Sequence, residues 1–109
     1  MTNDALLTQL GYTVSAGALA QIDYAISNTP GFEHIDKHLI TLHDHLEPHA
    51  SFVALSSNRP LFKIKNMATN EEEIEEVNQI IHKWAEKFKI KLEKVSGKET
   101  FYILGFEKA

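Results

Sequence analysis

A chain of 109 residues, 43% hydrophobic, 24% charged and with a formal net charge of −4, is large enough for one hydrophobic core and too small to divide into two. The acidic balance argues against a general nucleic-acid binder, whose footprint would be basic. With no cysteine, disulfides, thiolate metal sites and cysteine nucleophiles are excluded together.

The stretch MTNDALLTQLGYTV has no basic segment leading into a long apolar run, and no apolar run elsewhere reaches membrane-spanning length. Neither a secretory signal nor a membrane contact is therefore expected, and the expected location is cytoplasmic. Asn3 or Asp4 is placed to cap a short helix over ALLTQL, with Gly11 where a left-handed residue closes a helix. Ser15 caps a second helix over about 16–28, and Val14 and Leu19 are spaced to staple across that cap. Leu19, Ile22, Ala25 and Ile26 lie along one face of this helix. Tyr12 and Tyr24 belong to this N-terminal segment, which lies outside the sheet unit that follows, and they are its candidate docking residues.

SNTPG breaks the second helix. Thr29 and Pro30 read as the cap and first position of a third helix running to about residue 46, where Pro48 disfavours continuation. This helix falls in HIDKHLITLHDHLEPH, residues 34–49, which holds five of the six histidines. At about 100° per residue, Ile35, Leu39, Leu42 and Leu46 cluster within roughly 60° and form the buried stripe. His34, His38 and His45 flank that stripe, and His43 falls on the solvent side with Glu47 four residues on.

His34 and His38 have the i, i+4 spacing that brings two Cβ atoms to about 5–6 Å, close enough for both rings to meet one divalent transition metal. His45 is about 10 Å further along the axis and cannot join them. A site would need another ligand, with His82 the candidate third. HIDKH lacks the glutamate that a zinc-protease helix places directly after its first histidine, so catalysis is not expected there. The reading given most weight is a solvated or core-edge histidine face, for which no cofactor is needed. His43, His45, His49 and Glu47 form a candidate pH-responsive surface, because protonating all six histidines would move the formal charge from −4 to +2.

Beyond Pro48, ASFVALSS and PLFKIKN read as an antiparallel hairpin joined through SNRP. Thr69 or Asn70 caps a fourth helix whose first turn is acidic, and Ile74, Val77, Ile81, Trp84 and Phe88 make its apolar stripe. KIKLEKV then alternates, SGK turns, and TFYILGF is apolar on both faces, as expected of a central strand or one covered on both sides. The fourth helix with this hairpin resembles the tail of the TusA-type sulfur-carrier family. That family acts through a cysteine, which this chain lacks, so the resemblance implies no function.

Charge is laid down in blocks. Residues 1–49 carry a formal −5, residues 50–109 a formal +1, EEEIEE at 71–76 is acidic, and residues 83–98 hold six lysines against two glutamates. Lys89 and Lys91 are candidate interaction residues, although lysines also keep an exposed strand from pairing with a neighbour. Residues 33–66 and 72–106 both read helix, strand, turn, strand, and at an offset of 39 His43 aligns with His82, Phe62 with Phe101 and Ile64 with Ile103.

The expected architecture is α+β in one domain, 1–109. Residues 1–30 form an N-terminal helical segment and 31–109 an αββαββ unit, a four-stranded antiparallel sheet with its helices on one face. No phosphate loop, dinucleotide fingerprint or nucleophile elbow is present, and SGKE sits at a hairpin turn. The expected function is a small non-catalytic binding or protein–protein interaction domain, self-associating as a homodimer, with metal binding through His34 and His38 as the alternative.

Overall fold

A computed structural model of the chain describes residues 2–107. Four α-helices, α1 (Asn3–Gln9), α2 (Ala16–Ser27), α3 (Asp36–Leu46) and α4 (Glu71–Phe88), accompany four strands, β1 (Phe52–Leu55), β2 (Phe62–Lys65), β3 (Ile90–Lys94) and β4 (Thr100–Phe106). The strands form one antiparallel sheet in the order β1-β2-β4-β3. The fold is α+β, as the sequence pattern leads one to expect.

Local chemistry explains most boundaries. Thr2 caps α1, one residue before the expected Asn3, by accepting from the Ala5 amide. Ser15 caps α2 through the Ala18 amide, and Asn70 caps α4 through the Glu73 amide. Each serves an amide that has no partner within its own helix. Glu71, Glu72 and Glu73 follow Asn70 at the positive end of the α4 dipole. Gly11 and Gly97 take left-handed backbone at φ 89° and 75°, the first beyond α1 and the second in the β3–β4 turn.

The third helix begins later than expected. Thr29 does not cap it; the buried Thr29 hydroxyl donates back to the Ala25 carbonyl at the end of α2. Gly31 then turns left-handed at φ 71°, a single 3-10 turn spans Phe32–His34, and α3 starts only at Asp36. The cause is a close tertiary contact. The Phe106 amide donates to the Pro30 carbonyl at 2.8 Å. A Cβ on Gly31 would lie 2.6 Å from the Phe106 Cβ, and one on Gly105 would lie 3.0 Å from Pro30. The backbones of the two segments touch where both have glycine.

The two halves are arranged about a local pseudo-two-fold axis. Their inner strands, β2 and β4, pair antiparallel, and Lys63 stands opposite Tyr102, its own counterpart at the offset of 39 (102 − 63). Both hairpins thereby place their first strands, β1 and β3, at the outer edges.

Strand alternation divides the sheet into two unlike faces. Val53, Leu55, Phe62, Ile64, Phe101 and Ile103 point into the core, where they meet Leu39, Leu42 and Leu46 of α3 and Val77, Ile81 and Trp84 of α4. Leu6, Leu7 and Ile22 of the N-terminal helices join the same core. The helices thus lie over one face. Ala54 and Leu61 are buried yet stand outside that core, and half-buried Phe52, Tyr102 and Leu104 do not pack against it.

Candidate functional site

The five clustered histidines do not form one array. His34 sits in the 3-10 turn, outside α3, so it and His38 do not share the continuous helix assumed for joint ligation. The His34 ring stacks on Phe106 of β4 at 4.5 Å between centroids, whereas the His38 ring stacks on Phe88 of α4 at 3.6 Å. His82 stands edge-on to Phe101 at 5.3 Å. Each of the three candidate ligands is thus set against a different aromatic. Among the described residues, no three histidine, aspartate or glutamate side chains gather in a metal-ligating group.

His43 departs from the helical-wheel expectation. It is half-buried, and its Nδ1 accepts the Val53 amide of β1 at 3.1 Å, so it turns to the sheet and not towards Glu47. A wheel places a residue relative to its own helix axis, and it cannot show that an edge strand runs alongside. Tyr12 acts in the same way, its hydroxyl accepting the Leu55 amide at 2.9 Å. Val53 and Leu55 alternate along β1, so one side chain from α3 and one from the N-terminal segment take the amides on its outer side. Gln21 of α2 adds a bond from its amide to the Ser56 carbonyl just beyond the strand. The β1 edge is thereby closed against pairing with another strand.

The other predicted residues are scattered. Tyr24 is 63% exposed on α2 and lines a shallow groove with Gln21 and the Ser56–Leu61 loop. His45 and Glu47 are exposed, while His49 is half-buried and its carbonyl accepts the Ser51 hydroxyl. Lys89 is the left-handed residue that closes α4, at φ 55°, and Lys91 stands opposite Gly105 at a register shift in β3. The β3 edge thus carries exposed lysines and an irregularity, two devices that discourage edge pairing without covering the strand.

The feature that single residues did not reveal is the helix-free face of the sheet. Alternation brings Ala54, Lys63, Tyr102 and Glu93 side by side across all four strands. Phe52 of β1 and Leu104 of β4 lie at neighbouring positions of the same parity. Arg59, from the β1–β2 loop, lies over the Tyr102 ring at 4.7 Å and bridges to Glu93 at 2.6 Å. That exposed ion pair neutralises Glu93 but is worth little by itself. Among the described residues Lys63, Lys65 and Lys91 have no such pairing and leave the face with a cationic surplus around an apolar centre. The sequence signal was TFYILGF, apolar on both sides. Its two readings, central or doubly covered, are separated by the strand order, because β4 is central.

No protein-family model, curated protein or solved structure matches the chain. Among the described residues, no helix is long and apolar enough to cross a membrane.

Proposed function

We propose that this chain is a non-catalytic protein-interaction domain whose working surface is the helix-free face of its sheet. The observation that carries the reading is β4, whose Tyr102 and Leu104 stand apolar on a face that no helix packs against. Around them Lys63, Lys65 and Lys91, without an ion-pair partner among the described residues, call for a partner with acidic groups bordering an apolar patch. The sealed β1 edge turns recognition away from strand addition and towards this face.

A second copy meets the requirement in one arrangement. Two such faces laid against each other would oppose lysines, which is unfavourable. The acidic start of α4, with exposed Glu71, Glu72, Glu75 and Glu76 around half-buried Ile74, offers the complementary surface. Self-association would then be head to tail, and the geometry of closure would decide between a ring and an open chain.

Light scattering and sedimentation of the full chain test this. A concentration-dependent species larger than the monomer is expected, weakening as salt screens the contact. The variant Leu104→Glu should return the protein to monomer. A strictly monomeric chain at micromolar concentration removes self-association, and an oligomer indifferent to Leu104→Glu removes the sheet face.

A further inference from the structure

We propose that the groove between α3 and α4, on the helical side of the molecule, binds an amphiphilic carboxylate, a small molecule with an apolar body and one anionic end. The groove encloses about 300 Å³. Its floor is apolar, built from Leu42 of α3 and Ile80, Trp84 and Phe88 of α4. Its rim is cationic, since Lys83 and Lys87 rise on successive turns of α4; His45 is contributed by α3, and among the described residues no carboxylate lines it.

Hydrogen-bond accounting narrows the ligand. The Trp84 indole N–H is spent on the His38 carbonyl at 2.8 Å, and the Thr41 hydroxyl donates to the Lys37 carbonyl at 3.2 Å. The floor therefore has no free indole or hydroxyl donor to offer a polar body, and polar recognition falls to the rim cations. The Lys87 ammonium stands 5.3 Å from the centroid of the Phe88 ring, so one rim charge borders the apolar floor directly. A simple anion would meet only exposed lysines in water, where an ion pair gains little. A neutral apolar molecule would use the floor alone. A carboxylate on an aliphatic body uses both, with a charge-assisted contact at one end and buried surface along the rest.

Size agrees with a small ligand. Ile80 to Phe88 spans about 12 Å of helix at 1.5 Å per residue, and the volume is at the low end for small-molecule sites, which begin near about 300 Å³. A medium-chain acid fits that span. The site is separate from the sheet face, so its fate does not depend on the protein-interaction reading.

The chain carries its own reporter, since Trp84 is its one tryptophan. The full chain is titrated with decanoate below its micellar concentration, following Trp84 fluorescence and the indole ¹H–¹⁵N peak, with decanol as the uncharged comparator. Saturable binding is expected, about tenfold tighter for decanoate than for decanol. The surface double variant K83Q with K87Q should lose most of that difference while melting as the wild type does. The proposal is overturned if no saturable change occurs, if decanol binds as tightly, or if the double variant binds decanoate unchanged. It is equally overturned if the indole peak responds to protein dilution and not to decanoate, which would make the groove an interface between copies.

Discussion

The two αββ halves share a layout, an offset and a local two-fold axis, yet they finish their outer strands by opposite means. In the first half, His43 and Tyr12 accept the Val53 and Leu55 amides and close β1. In the second half, the counterpart of His43 is His82, which lies against Phe101 and among the described residues makes no such bond. There β3 relies on exposed Lys91 and a register shift. The difference has a cause outside the repeated unit. The N-terminal segment packs beside β1, supplying Tyr12 and Gln21, and among the described residues no equivalent segment supplies side chains to β3. Covering one edge needs extra chain, whereas protecting the other needs only charge and irregularity.

The largest effect is expected where the halves are joined. Gly31→Ala combines left-handed backbone with a Cβ 2.6 Å from that of Phe106, which together should cost about 2–4 kcal/mol. Gly97→Ala is the control, since its φ is 75° but nothing lies within 4 Å of the added Cβ. Its cost should be limited to about 1–2 kcal/mol. Denaturant unfolding of both variants measures the difference, and equal losses would mean that the Pro30–Phe106 contact is not held tightly.

Next comes the sealed edge. His43→Phe keeps a ring but leaves the Val53 amide without its acceptor, a loss of about 1–3 kcal/mol. The same substitution at the symmetric position, His82→Phe, should stay within about 0.5 kcal/mol, because His82 is exposed and bonds to no strand amide. If the two variants lose the same stability, the contrast between the halves fails.

The smallest effect belongs to Tyr12→Phe, about 1 kcal/mol or less, since water can replace the hydroxyl at the strand's outer side.

Much of this architecture is written locally. Ser15 and Asn70 announce helix starts by chemistry that needs no tertiary partner, and the fourth helix and both hairpins follow from periodicity and turn residues. The doubly apolar TFYILGF allowed a central strand or one covered on both sides, and the strand order makes it central. What escaped notice depends on long-range approach. The late start of α3 comes from Pro30–Gly31 lying on Gly105–Phe106, segments far apart in sequence. The inward turn of His43 depends on β1 running beside α3, and the cationic face on four strands placing Lys63, Tyr102 and Glu93 in one row. The groove had the same problem, as Trp84 and Phe88 were legible as one stripe but their lysine rim facing His45 was not.

Self-association through the helix-free face is tested most directly by ¹H–¹⁵N spectra of the full chain over a dilution series from millimolar to micromolar. Shifts or broadening should concentrate at Lys63, Tyr102 and Leu104 and at the acidic start of α4, while the Val53 and Leu55 amides stay fixed. Changes running along β1, or spectra identical at every concentration, would contradict self-association through that face.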